Sequence, residues 1–166
     1  EGSRCPECGG AVTLADPAVF VGETFGKYHI DRLIGVGGMG AVFQATHRTL
    51  RRPVAVKIVL PQKDDDAFRR RFLREARVLA EVHHPHVVEV YDFDVNDWGI
   101  SYLVMEFLEG ESLKNRLQTQ PRLDWAELGP VIGGVAEGLT SAHTAGIVHR
   151  DLKPDNIFLT AYGDRP

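Results

Sequence analysis

The chain has 166 residues, with 19 Lys plus Arg against 23 Asp plus Glu, for a formal net charge of −4. That length suits one domain or a short module plus a domain, and a hydrophobic content of 43% excludes a disordered chain. The mild acidity argues against a nucleic-acid backbone as partner. No apolar run reaches the length of a membrane span, and no basic-then-apolar leader opens the sequence. Two cysteines three positions apart exclude a disulfide-stapled scaffold, so a reducing, cytoplasmic setting is the expectation. Glu1 stands first in place of a methionine, which suggests a missing upstream segment.

Residues 1–10, EGSRCPECGG, read as a cysteine and glycine knuckle, and residues 11–24 as a linker without helical period. From Phe25 the pattern changes. Residues 27–34 read as a strand, 41–46 as a second after a glycine-rich break, and 54–60 as a third, almost wholly apolar and β-branched. Three strands with short connections predict an antiparallel meander. A helix follows, with Asp64, Asp65 and Asp66 at its start and Phe68, Phe72, Leu79 and Val82 on one stripe. Strands are expected at 87–95 and 100–108, around an NDWG turn. Short and long helices are expected at 112–119 and 124–144, with Ser112 and Asp124 as N-caps; Asp124 and Glu127 resemble a capping box. The long helix carries the stripe Leu128, Ile132, Val135, Leu139 and Ala142. Residues 146–160 read as strand, polar loop, strand. The expected class is α+β and two-lobed, strand-rich to about residue 108 and helical from 109.

Four features carry chemistry. Gly35-Val36-Gly37-Gly38-Met39-Gly40-Ala41-Val42 fits G-x-G-x-x-G-x-V, in which glycines let backbone N–H groups approach a phosphate. A plain glycine-rich hairpin is the alternative. A dinucleotide fold would need a helix next, and a Walker-type loop would need Gly-Lys-Ser/Thr. Second, Lys57 interrupts an apolar strand and Glu75 interrupts an apolar helical stripe. An ion pair would satisfy both, while Lys57 pointing out of an edge strand is the bland reading.

Third, His149-Arg150-Asp151-Leu152-Lys153-Pro154-Asp155-Asn156 sets a proton-accepting carboxylate, a cation and an amide oxygen between two apolar runs. Fourth, Cys5 and Cys8 have the spacing of half a zinc ribbon; a redox pair or incidental cysteines are the alternatives. His83, His84 and His86 around Pro85 read as a turn rather than a metal site.

Taken in order, the glycine loop, the Val-Ala-Val-Lys strand, the helix glutamate and the His-Arg-Asp loop resemble the eukaryotic-type (Hanks-type) serine/threonine protein kinases, in their bacterial branch. The resemblance covers residues 25–160 and implies a kinase N-lobe and hinge over 25–108 and the beginning of the C-lobe over 109–166. It implies ATP and Mg²⁺ as cofactors and protein Ser/Thr hydroxyls as substrates, with dimerisation of the parent left open. Asp151 would be the catalytic base, Lys153 would steady the γ-phosphate, Lys57 fixed by Glu75 would hold the α- and β-phosphates, and Asn156 would bind magnesium. Ile34 through Gly40 (Ile34, Gly35, Val36, Gly37, Gly38, Met39, Gly40) would cover the phosphates. Val42 and Ala55 would roof the adenine, Met105 would be the gatekeeper, Glu106 and Leu108 would offer hinge backbone groups, and Phe158 would floor the ring.

Neither Asp-Phe-Gly nor Ala-Pro-Glu occurs in the sequence. The expectation is therefore a fragment of a longer kinase that stops before the magnesium-holding aspartate and is inactive alone. A nucleotide-binding pseudokinase or scaffold is the alternative.

Overall fold

The computed structural model describes residues 17–37, 40–59, 74 and 76–160. Contacts divide the chain into two units, Glu1–Ala80 with Glu89–Phe107, and Glu81–Val88 with Leu108–Pro166.

The first unit is an antiparallel six-stranded sheet. Its strands are β1 (Thr24–Phe25), β2 (Tyr28–Gly37), β3 (Gly40–His47), β4 (Pro53–Val59), β5 (Val90–Val95) and β6 (Ser101–Glu106), ordered β1-β2-β3-β4-β6-β5. Residues 76–80 are helical (α1). Strand alternation puts Val54, Val56 and Ile58 of β4 into an aromatic core with Phe20, Phe25, Tyr28, Ile30, Phe43 and Tyr102. The two ends of the strand order meet. The Phe25 ring stands edge-on to Tyr102 and Trp98 at 5.5 and 6.0 Å. Tyr28 Oη donates to Asp92 Oδ2 at 3.0 Å, and Lys27 Nζ lies 3.1 Å from the same oxygen. A sheet whose first two and last two strands touch must curl around its core.

The expected strands form, with instructive differences. Within the stretch expected as linker, Pro17–Phe20 is a 3-10 turn and Phe20 is 1% exposed, so the fold includes these residues. Two aromatic contacts from Phe20, to Phe25 and Phe43, explain why. In β2 the register slips between Ile30 and Arg32 and again between Leu33 and Gly35. Such bulges re-aim a strand; they leave Ile34 46% exposed, although the sequence marked it as a strand residue of the apolar set. The NDWG turn is held by Asn96, whose Oδ1 accepts from the Trp98 and Ile100 amides at 3.1 and 2.9 Å.

The second unit contains β7 (Gly110–Ser112) paired with β8 (Phe158–Thr160), α2 (Leu113–Thr119) and α3 (Trp125–Thr144). Both expected N-caps are in place. Ser112 Oγ accepts from Asn115 N at 3.2 Å, and Asp124 Oδ1 from Glu127 N at 2.9 Å. Segment 81–88 packs against α3 at Gly134 and Gly138, where any Cβ would meet His86 at 2.9 Å in both cases. Ile132 of the expected apolar stripe is 49% exposed instead.

Residues 146–148 are not the strand expected from Ile147-Val148. Gly146, at φ +77°, donates to His143 O at 2.9 Å and Ile147 donates to Ala142 O at 2.9 Å. This is the Schellman pattern, and it commits the Ile147 amide to capping α3 instead of a ladder.

Two predictions test this fold. Gly40 sits at φ +150°, and a Cβ there would fall onto the Ile58 carbonyl of β4. Gly40→Ala should therefore cost about 1–3 kcal/mol in urea unfolding, the span for a strained backbone position. The second concerns alkaline pH. Burial, then the hydrogen bond to Asp92, raises the Tyr28 phenol far above its ordinary value of 10.0. Burial, then Asp94, pushes Tyr102 up to about 12. The unfolded chain thus ionises first, and stability should be intact below pH about 10 and fall above it as the phenols ionise. Tyr28→Phe should flatten that fall in pH-dependent unfolding.

Candidate active site

In the first unit the candidate residues cluster on the face of the sheet opposite the aromatic core. β3 and β4 pair with Val42 opposite Lys57, and β4 and β6 pair with Lys57 opposite Leu103 and Ala55 opposite Met105. Directly opposed residues project to the same face, so Val42, Ala55, Lys57 and Met105 share one surface. Lys57 is half-buried on β4, an interior strand. That removes the edge-strand reading. Leu103, which packs beside Lys57 on this face, is a residue the sequence reading missed; its signal was lost within the uniformly apolar run of β6. Glu75, the expected partner of Lys57, lies outside the described residues.

The glycine motif forms the β2–β3 hairpin, closed by Gly37 opposite Gly40, with Gly35 opposite Val42. Gly38 and Met39 lie outside the described residues. The remaining glycines divide by cause. Gly40 is dictated by the fold, as shown above. Nothing lies within 4 Å of a Cβ placed at Gly35 or Gly37. Among the described residues, then, nothing crowds these two positions, while Val36 between them is 61% exposed. At the end of β6, Glu106 donates its amide to Glu89 O at 2.9 Å.

In the second unit, the polar octet folds into one compact hydrogen-bonded turn. Arg150 takes φ +59°, a left-handed conformation that turns the chain sharply before Asp151. Asp151 N donates to His149 O at 2.8 Å. Lys153 Nζ reaches back to both carboxylate oxygens of Asp151, at 3.0 and 2.8 Å. Pro154–Asn156 is a 3-10 turn, and it brings Asn156 Nδ2 to Asp151 O at 2.7 Å and Asp151 Oδ2 at 3.2 Å. Both neighbours are acceptors, so the amide nitrogen must face them and Oδ1 must face away. An outward amide oxygen beside an ionised carboxylate is a donor set suited to a hard cation such as Mg²⁺.

The hydrogen bond from Lys153 holds the Asp151 carboxyl below the usual carboxylate range, with Asn156 adding to the effect, and Asp151 in return holds Lys153 above its ordinary value. Both side chains stay about half exposed, at 54% and 48%. Asp151 is therefore an accessible, ionised base at neutral pH. Phe158, on β8, is 41% exposed. Leu108 is half-buried in the irregular segment before β7. A role for His149 in shaping the turn, and the left-handed Arg150, had no sequence signal.

A family model described as Protein kinase domain matches residues 28–164. The chain belongs to this family. It is 40% identical over 141 residues to the serine/threonine-protein kinase PknH of Mycobacterium bovis, covering 84% of this chain and 24% of that protein. It is also 40% identical over 149 residues to the kinase PknA of Mycobacterium tuberculosis, covering 86% of this chain and 35% of that one. The crystal structure of the Mycobacterium tuberculosis PknI kinase domain superposes with a TM-score of 0.74 at 35% identity, over 85% of this chain and 58% of that domain. The α+β, protein-kinase-like fold expected from the sequence is thus established. The kinase-domain chain spans about a quarter to a third of these curated relatives.

Among the described residues of this kinase domain, no three His, Cys, Asp or Glu groups are placed to hold a metal ion. His86 instead lies 3.6 Å from Glu137. Cys5 and Cys8 lie outside the described residues. Among the described residues no helix is long and apolar enough to cross a membrane.

One prediction concerns Asp151. Lys153→Met removes the first cause of its lowered pKa, so Asp151 should titrate at higher pH than in the parent chain by carbon-detected NMR of its carboxyl. Because the folded pKa is the depressed one, any stability that this pair contributes is present at neutral pH and lost as pH falls through the folded value. The variant should lose that acid-side dependence.

Proposed function

We propose that the protein carrying this domain transfers the γ-phosphoryl group of ATP to Ser or Thr hydroxyls of protein substrates. The observation that carries this reading is the turn in which Lys153 and Asn156 both grip Asp151. Asp151 accepts the hydroxyl proton as the substrate oxygen bonds to phosphorus and the bond to the departing ADP breaks. Lys153, already beside the carboxylate, offsets charge on the phosphoryl oxygens. Lys57, with Glu75 as its counter-ion, holds the α- and β-phosphates. In the first unit, Gly35 and Gly37 supply uncrowded backbone to the phosphates, Val42, Ala55 and Met105 meet the adenine, and Glu106 offers it a backbone group. Asn156 Oδ1 would hold a Mg²⁺ ion, which would supply neutralising charge for the phosphates.

Lysine two positions after Asp151, followed by proline, supports the Ser/Thr branch, as do the names of the relatives. The Cys5 and Cys8 thiolates would supply half of a four-ligand zinc ribbon. We place the domain in the cytoplasm, a reading supported by its two cysteines and its lack of disulfide patterning.

The test is phosphotransfer from labelled ATP to a protein substrate by the full-length protein. Asp151→Asn should lower kcat by about 10²–10⁴, the usual worth of a positioned base, with ATP affinity retained. Lys57→Met and Glu75→Ala should each cripple transfer, and the double variant should be little worse than either alone, because the pair acts as a unit. Full activity in Asp151→Asn rejects the proposal.

A further inference from the structure

A cavity of about 180 Å³ opens where β1 meets the β5–β6 hairpin, and none of its lining residues belongs to the candidate active site. Tyr102 lines it. This residue pairs opposite Ile58 of the core, so its ring projects to the face opposite Lys57. It is only 3% exposed, and its ring stands edge-on to Phe25 at 5.5 Å. Its hydroxyl nevertheless has no hydrogen-bond partner among the described residues. A buried hydroxyl left in that state is costly unless something outside the chain meets it.

Gly26 shows where the hydroxyl points. It lines the same cavity and sits at φ +56°. A Cβ placed on it would meet Tyr102 Oη at 2.7 Å and the ring carbon behind it at 3.9 Å. The hydroxyl end of Tyr102 therefore faces the space that this glycine leaves open.

Charge then selects the ligand. Asp94, opposite Tyr102 in the β5–β6 ladder, and Asp97, in the turn, are both exposed and both line the cavity. Asp94 Oδ1 accepts from the Val95 amide at 2.7 Å, which leaves Oδ2. Among the described residues neither carboxylate has a cation within ion-pair distance, and Lys27 is committed to Asp92 at 3.1 Å. Half-buried Trp98 adds an aromatic wall, and such rings attract cations. No three His, Cys, Asp or Glu groups among the described residues are placed to hold a metal ion, which turns the choice to an organic cation. The volume falls below the roughly 300–1,000 Å³ of pockets for drug-sized ligands, so the guest is small. A primary ammonium is compact and carries three N–H donors with no acceptor. A wall of unpaired acceptors suits it.

We propose that this cavity binds a primary ammonium group on an alkyl stem, with Tyr102 Oη, Asp94 and Asp97 accepting its N–H groups and Trp98 lining the stem. The group comes either from a lysine side chain of another protein or from a free small amine. The site is independent of the kinase reading, since it shares no residue with it.

The test follows the indole N–H signal of Trp98 in the full-length protein carrying ¹⁵N-tryptophan, assigned as the signal missing from Trp98→Phe. The probes are n-butylammonium chloride and the blocked peptide acetyl-Gly-Lys-Gly-amide at constant ionic strength, with n-butanol as the uncharged control. Both ammonium probes should shift the signal saturably, and n-butanol should not. The order of the two affinities separates the sources: a tighter peptide assigns the group to a partner protein, a tighter n-butylammonium to a free amine. Tyr102→Phe keeps the ring contact with Phe25 and should weaken binding roughly three- to tenfold. Asp94→Asn/Asp97→Asn should weaken it by about tenfold or more; its positions are exposed, so it keeps the test decisive if Tyr102→Phe does not fold. No saturable shift with either ammonium probe, an equal shift with n-butanol, or an affinity unchanged in the folded variants overturns the proposal.

Discussion

The curl of the six-stranded sheet is the constraint from which the first unit follows. A flat antiparallel sheet would leave one face of β4 to water, yet Val54, Val56 and Ile58 are fully buried. Burial becomes possible because the two ends of the strand order meet over those residues. Phe25 packs edge-on against Tyr102 and Trp98, and the Tyr28 hydroxyl and Lys27 ammonium converge on Asp92. The aromatic contacts supply apolar area, and the shared carboxylate fixes which strands meet. With one face of β4 committed to this core, the other face is free to present Lys57 between Val42 and Leu103. The candidate surface is thus the reverse side of the folding core. Each strand serves both through simple alternation.

Much of this was legible in the sequence because the relevant signals are short-range. Strand alternation, the Asn96 turn and the Ser112 and Asp124 caps each depend on residues within about five positions of one another. The strand expected at Ile147-Val148 failed because the α3 cap competes for the same amides, and an apolar pair says nothing about where its N–H groups go. The buried Phe20 was passed over for a related reason. A lone phenylalanine in a stretch without period gives no local evidence of the long-range ring contacts that bury it. Ile132 shows the reverse error, since helical spacing marked it as core while its surroundings leave it half exposed.

The Asp151 turn was legible as a set of residue types but not as a geometry. The order Asp151, Lys153, Asn156 announced a base, a cation and an amide. That the amide must turn its nitrogen inward follows only from the two acceptors it meets. The contact from α2 was invisible, because Lys114 looks like any exposed lysine on a short helix until Asp155 is placed beside it. Lys57 was recognisable as an oddity in an apolar strand, and its interior place in the sheet turns that oddity into a surface shared with Ala55 and Met105.

Strand β2 contains ten residues and pairs with only eight on β3, so Asp31 and Ile34 are surplus to the ladder. Loss of either surplus residue would close its bulge and leave the facing of every paired residue unchanged, because Ile30 and Arg32 oppose the consecutive residues Ala45 and Gln44, and Leu33 and Gly35 oppose Phe43 and Val42. Loss of both would shorten the strand yet preserve every facing. Shortening at these two points should consequently be tolerated one residue at a time, a rule that belongs to the arithmetic of pleats and holds whatever ligand the turn receives.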